Sequence, residues 1–268
     1  MTNNQICFTL NTDMGRIFKD CSEMIQEMDR ELKVSGATVP VNHYQNQELS
    51  GDDRLTKELI GVSFVISKPY LGKRKMLDFM FKDEAELIEK YCRAELSDRL
   101  DRNGVNPGKS WEVRRDLWQK LVSKTRQGGR FDYTYSERLH IFHKGPEIHQ
   151  LDNVIGTLRD DPHSRRAMVM IFEPEDTRAT AGALTRVPCS ISYQFLIRDN
   201  RLHVIYYVRS NDFFKHFAID IWLTEAMMDY VFNIIAVTYP SLKKGPLHYF
   251  AGSLHAYNDD LNGQYTKL

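Results

Sequence analysis

The chain has 268 residues, with 36 Lys plus Arg against 36 Asp plus Glu and a formal net charge of zero. That balance argues against a general nucleic-acid or membrane-surface binder, which carries a basic excess, while leaving room for a local charged site. At 42% apolar and 27% charged residues the composition is that of an ordinary globular protein, not of a disordered chain, and the length suits one large domain or two small ones.

No apolar run approaches the roughly 18 residues of a membrane span. The polar start, Met1-Thr2-Asn3-Asn4-Gln5, is not a signal peptide. Cys7, Cys21, Cys92 and Cys189 form no CxxC pair and no metal-ligand spacing. They read as free thiols in a reducing compartment, so a cytoplasmic location and no bound metal are expected.

In chain order, Met14, Ile17, Phe18, Cys21, Met24, Ile25, Met28 and Leu32 carry helical spacing and predict a helix over 12–34. Residues 35–57 are polar and turn-rich and read as loop. Leu59 to Ser67 is short, β-branched and followed by Pro69, which predicts a strand. Asp83 to Leu100 is a charged amphipathic helix, 101–112 a Gly- and Pro-containing loop, and 113–123 helical again with Leu117, Trp118 and Leu121. Leu151 to Arg159 reads as a helix that stops before Asp160-Asp161-Pro162. Ala167 to Phe172 is a strand, and Ser190–Ile197 and Leu202–Val208 form a hairpin across Arg198-Asp199-Asn200-Arg201. Residues 217–237 are too apolar for a surface helix and belong in the core, and Leu247 to Tyr257 is a last strand. The class is α+β in a single domain over 1–268, a mostly antiparallel or mixed sheet packed with helices.

Four features can carry chemistry. Cys189 opens a strand after Pro188, with arginines nearby in sequence whose charge would lower the thiol pKa; a buried structural cysteine is the bland alternative. Ser164-Arg165-Arg166 and Arg209-Ser210-Asn211-Asp212 sit where strands begin or end and offer guanidinium and hydroxyl groups to a phosphate, or are ordinary surface arginines. Asp220 starts an apolar helix, where it either favours the N-terminus or points into a pocket. His255 and Tyr257, two apart on a strand, face one side.

Taken together these pieces resemble the thymidylate synthase family. Asp161-Pro162-His163-Ser164-Arg165-Arg166, Pro188-Cys189, Tyr193-Gln194-Phe195, Arg209-Ser210-Asn211-Asp212, Asp220 and His255-Ala256-Tyr257 occur in the family's order, over about residues 150–258. The N-terminal half matches more loosely, through Ile60-Gly61-Val62-Ser63-Phe64 and Leu117-Trp118. The resemblance implies the family's α+β architecture and a back-to-back homodimer. It implies that Cys189 attacks C6 of a pyrimidine nucleotide, so that C5 takes a one-carbon unit from 5,10-methylenetetrahydrofolate. Arg209 and Ser210 would hold the 5′-phosphate, with Arg165 and Arg166 reaching it from the other subunit and Arg54 as a further phosphate ligand. His255 and Tyr257 would bind the sugar 3′-hydroxyl. Asp212 would lie near base and folate, with Trp118 on the folate side. A helix glutamate, Glu95 by best match and Glu89 as the alternative, would organise the water network.

The departures narrow this. Family members that use uracil have asparagine eleven residues after the phosphate-binding arginine; here that residue is Asp220. A carboxylate accepts from the cytosine amino group and, when protonated, also donates to N3, while uracil sets O4 against the ionised form, acceptor against acceptor. This is similar to the family's phage deoxycytidylate hydroxymethylase branch, in which water completes the reaction and tetrahydrofolate leaves unoxidised. Only eleven residues follow Tyr257, and a chain lacking the family's C-terminal lid is expected to admit water. The family's tryptophan after the helix glutamate is missing, Ser190 replaces a histidine, and Lys215-His216 stands where glycine is usual. The expectation is a folate-dependent hydroxymethyltransferase acting on dCMP. The alternatives are CMP hydroxymethylation in a nucleoside antibiotic pathway, a dCMP or dUMP C5-methylating synthase, and a non-enzymatic nucleotide- or RNA-binding homologue.

Overall fold

The computed structural model describes residues 15–44, 47–124, 126–141, 147–180 and 185–261. Cys7, Met14, the Leu117 side chain and the last residues, 262–268, on which the lid expectation bears, lie outside the described residues.

Strand β1 (Arg16–Asp20) leads straight into helix α1 (Cys21–Ser35). Asp20 makes the switch. Its Oδ1 accepts from the backbone N–H of Ser22 at 2.9 Å and of Glu23 at 3.2 Å, two donors that the first turn leaves open. The helix predicted over 12–34 therefore begins at Cys21, because the cap, not the apolar spacing, sets its start. Its buried stripe is Cys21, Met24, Ile25, Met28 and Leu32. The stretch 35–57, expected as loop, holds β2 (Ala37–Pro40), the pair β3 (His43–Tyr44) and β4 (Gln47–Glu48), and the start of β5 (Leu55–Lys68). β2 is a strand because β5 extends to meet it at Leu55–Glu58, a pairing partner that local turn residues do not reveal.

Helix α2 (Lys73–Phe81), which is not among the expected elements, precedes the expected charged helix α3 (Ala85–Leu100). The helix predicted over 113–123 is instead two short pieces, α4 (Ser110–Val113) and α5 (Arg115–Gln119). They break at Arg114, whose φ of −126° and ψ of 44° leave the helical region. Helix α6 (Tyr135–His140) starts at a capping box made by Thr134 and Glu137. Helix α7 (Gln150–Asp160) and strand β6 (Met168–Met170) fall where expected. β7 (Ser190–Arg198) and β8 (Arg201–Asp212) form the predicted hairpin, with Asp199 and Asn200 at φ of 48° and 57°. Positive φ at both turn residues matches the twist of the two strands, and Asp and Asn tolerate it best after glycine. Helix α8 (Ala218–Thr238), strand β9 (Lys243–Tyr257) and the turn-length α9 (Asn258–Leu261) complete the described chain.

Among the described residues seven strands form one sheet in the order β1-β5-β9-β8-β7-β6, with β2 off β5. β1–β5 and β8–β9 are parallel and the other pairs antiparallel, so the sheet is mixed. The registers place Val169, Tyr193, Tyr206, Tyr249 and Phe64 in one cross-strand row, all buried in the core. Tyr193 stacks on Tyr206 at 4.8 Å and Tyr249 on Phe64 at 4.7 Å. The opposite face presents the rows Met168, Gln194, Ile205, His248, Val65, Ile17 and Met170, Ser192, Tyr207, Phe250, Ser63. Ile17, Met168, Met170 and Phe250 are exposed there.

Residues 213–238 are long and apolar enough to cross a membrane by length and composition, which corrects the expectation that no segment reaches that length. The first three turns of α8 are buried inside the fold, Thr224 and Glu225 included. The Glu225 carboxylate is fully buried and is held by the ammonium of Lys73 at the start of α2. Burial pushes the Glu225 carboxyl up, and Lys73 pulls it back. Removing one partner of such a pair strands the other charge. Lys73→Met is therefore expected to cost about 3 kcal/mol in denaturant unfolding at pH 8. The cost should shrink at pH 5, where Glu225 can take up a proton; equal losses at both pH values would contradict this.

Candidate active site

The ends of β8 and β9, the loop before β7, and helices α3, α4, α5 and α8 enclose a cleft of about 290 Å³. Parallel pairing sets Ser210 beside Ser253 and Asp212 beside His255, so the Arg-Ser-Asn-Asp and His-Ala-Tyr segments share one wall. Gly252 allows the close approach: a Cβ there would meet the Arg209 carbonyl oxygen at 2.7 Å. Cys189, Arg209, Ser210, Asp212, Asp220, His255, Tyr257, Glu95 and Trp118 all line this cleft.

Cys189 is partly exposed on its loop. Arg209 clamps that loop, donating from Nε to the Pro188 carbonyl at 2.8 Å and from Nη2 to the Val187 carbonyl at 3.2 Å. Burial pushes the thiol above its ordinary pKa, with Asp220 and Asp212 adding to the rise; Arg209 and Arg186 oppose it. The expectation that neighbouring arginines leave a lowered pKa is thus corrected, because desolvation outweighs them.

Asp220 sits in the first turn of α8 with 9% of its surface exposed. Burial raises its carboxyl from 3.8 to about 7, while Arg99 and hydrogen bonds from Asn211 and Tyr206 restrain the rise. The buried tyrosine row supplies the polar floor. Tyr206 Oη meets Ser190 Oγ at 2.7 Å, Tyr135 Oη meets the same oxygen at 2.8 Å, and Asn211 Nδ2 donates to Tyr249 Oη at 3.2 Å. Ser190, the residue after Cys189, is thus tied to Tyr206 and Tyr135. Asp212 also has a structural task, accepting from the N–H groups of Phe214 at 3.2 Å and Lys215 at 3.1 Å.

Glu95 is held at both oxygens. Arg99 Nε donates to Oε1 at 3.0 Å and Ser110 Oγ to Oε2 at 2.8 Å. Asp98 organises the turn that brings Ser110 there, accepting from the N–H groups of Lys109 at 2.9 Å and Ser110 at 2.8 Å. The buried Arg99 guanidinium also lies 3.9 Å from the centre of the Tyr135 ring. Glu89, the alternative, is paired with Arg93 and Arg74 and does not line the cleft.

Trp111, Trp118, Phe131 and Tyr133 form an aromatic side of the cleft, with the Arg186 guanidinium 5.1 Å from the centre of the Trp118 ring. The indole N–H groups of Trp111 and Trp118 are buried without an acceptor. Aromatic walls with unused donors suit a flat, polar-edged heterocycle. His216 lines the same region, and burial lowers its pKa to about 4, so the ring is neutral.

Three predicted phosphate ligands are not in the cleft of this chain. Arg165 and Arg166 are exposed just before β6. Arg54 turns its guanidinium to the Asn42 side chain at 2.7 Å and the Val41 carbonyl at 3.4 Å. Conversely, the cleft is also lined by Arg99, Tyr135 and Arg186, none of them among the expected site residues. Only Arg99 had a local signal: it lies four residues after Glu95 on a predicted helix, the spacing of an ion pair.

Residues 78–268 match the family described as thymidylate synthase. The chain is similar to several proteins named "Putative thymidylate synthase". That of Methanosarcina barkeri is 30% identical over 131 residues, covering 48% of this chain and 55% of the relative. That of Methanosarcina acetivorans is 29% identical over 150 residues, covering 56% and 64%. That of Methanocaldococcus jannaschii is 30% identical over 131 residues, covering 48% and 57%. The match thus spans little more than half the length of these relatives. With the family matched over most of its length and the mixed α+β sheet in place, the chain belongs to the thymidylate synthase family.

Proposed function

We propose that the cleft binds a cytidine 5′-monophosphate, dCMP in preference, and hydroxymethylates its C5. The observation that carries this reading is Asp220, a buried carboxyl whose pKa of about 7 lets it donate to N3 and accept from the amino group of cytosine. Cys189 Sγ adds to C6, which makes C5 nucleophilic. The negative charge that spreads to N3 is met by the proton on Asp220, and Arg99 favours the carboxylate left behind. Glu95, fixed by Arg99 and Ser110, orders water at the cleft. Arg209 and Ser210 bind the 5′-phosphate and His255 and Tyr257 the sugar. When bound, 5,10-methylenetetrahydrofolate supplies the one-carbon unit, and Trp118 and Asp212 hold it at the aromatic side. Nucleotide, methylene donor and water give the 5-hydroxymethyl nucleotide and tetrahydrofolate, with no change in the folate ring's oxidation state.

A back-to-back homodimer belongs to the same proposal. The sheet face carrying Ile17, Met168, Met170 and Phe250 is an apolar surface suited to burial against a second copy. That copy would bring Arg165 and Arg166, beside β6, to the phosphate. Release of tritium from [5-³H]dCMP in the presence of the folate tests the reaction at C5. Saturable release is expected. Tight dCMP binding with no release would reduce the chain to a nucleotide-binding homologue.

A further inference from the structure

Glu58 on β5 pairs directly with His255 on β9, and Ser253 lies two residues before His255 on the same strand. Ser253 Oγ donates to Glu58 Oε1 at 2.5 Å. A hydroxyl has one proton, so Ser253 can meet His255 Nδ1, 3.4 Å away, only as an acceptor. Nδ1 must then carry a hydrogen. Burial keeps the ring neutral, with Lys215 and Arg209 acting in the same sense and Asp212 and Glu58 in the opposite one. A neutral imidazole has one N–H, which leaves Nε2 as a bare acceptor.

We propose that Glu58 and Ser253 form a positioning relay that fixes His255 in the Nδ1–H tautomer, so that Nε2 accepts a hydrogen bond from the nucleotide's 3′-hydroxyl. This rests on the reading of the cleft as a nucleotide site. Glu58 is not among the side chains lining the cleft and acts through Ser253 and His255. The carboxylate that orients the sugar-binding histidine therefore comes from the neighbouring strand.

Two readouts test the relay. Nitrogen-15 NMR of the full chain is expected to show His255 as the Nδ1–H tautomer and to lose that signature in Ser253→Ala. Calorimetry is expected to show that Ser253→Ala and Glu58→Leu weaken dCMP binding about tenfold, the scale of one hydrogen bond to a well-placed partner. Neither variant should weaken binding of 2′,3′-dideoxycytidine 5′-monophosphate, which lacks the 3′-hydroxyl. Glu58→Gln, which keeps an acceptor for Ser253, should restore most of the dCMP affinity. An Nε2–H tautomer in the unsubstituted protein, or equal losses on both nucleotides, would overturn the relay. Failure of the unsubstituted protein to bind either nucleotide would instead overturn the nucleotide reading, and the NMR spectrum would still decide the relay.

Discussion

Cys189→Ala is expected to lower turnover by on the order of 10⁴-fold or more, because no other group replaces a covalent nucleophile. Nucleotide affinity should change only a few-fold. Phosphate, sugar and base are held in this account by Arg209, Ser210, His255, Tyr257 and Asp220, which are separate from the thiol. The substitution removes a small, partly exposed side chain, so stability should hardly move. Burial raises the thiol pKa in the free protein, and Asp220 and Asp212 add to it. Only a minor fraction is thus thiolate at neutral pH, and single-turnover rates should rise with pH on the alkaline side. The checks are rapid-quench kinetics for the first effect and calorimetry for the second. Substantial C5 chemistry in Cys189→Ala would remove the thiol from the mechanism.

Asp220→Asn is expected to invert base preference. With its amide held so that Nδ2 faces the C4 substituent and Oδ1 faces N3, asparagine donates to uracil O4 and accepts from N3–H, while cytosine sets its amino group against Nδ2 and N3 against Oδ1. Buried mismatches of this kind shift the ratio of kcat/KM for dCMP over dUMP by on the order of 10³-fold. dCMP affinity should weaken as pH rises through about 7, where Asp220 loses the proton it gives to N3; Asp220→Asn should lose that dependence. The same residue sets a stability cost. Its folded pKa lies above its ordinary value of 3.8, so the folded state binds this proton more tightly than the unfolded chain. Stability from this group is therefore full below 3.8 and falls as pH rises to about 7. Asp220→Asn should unfold at higher temperature than the parent at pH 8 and at nearly the same temperature at pH 4. Unchanged base preference would remove Asp220 from recognition, and an unchanged melting difference between the two pH values would remove the buried charge.

The sequence made the sheet's centre legible because its strands are long, β-branched and joined by short turns. The β7–β8 hairpin and α8 stand where local pattern places them, and Asp199-Asn200 announces its own turn. Elements set by distant partners were not legible. β2 exists only because β5 reaches back to it, and the start of α1 depends on which residue caps it. The site divides the same way. Cys189, Arg209, Asp220, His255 and Tyr257 sit in contiguous motifs and converge on one cleft. Arg186 and Tyr135 carry no spacing that marks them, since only the folded chain brings them to the cleft. Arg54, a phosphate ligand implied by the family resemblance, is tied to Asn42, and Arg165 and Arg166, expected at the phosphate of a neighbouring subunit, face solvent beside β6.

The reaction proposed for the cleft is one-carbon transfer to C5 of a cytidine nucleotide. Incubation of the full chain with methylenetetrahydrofolate and dCMP, CMP or dUMP in turn, followed by mass spectrometry, tests it most directly. 5-Hydroxymethyl-dCMP is expected as the main product, formed fastest from dCMP and without dihydrofolate. A methylated product appearing in step with dihydrofolate, or dUMP as the best substrate, would contradict it.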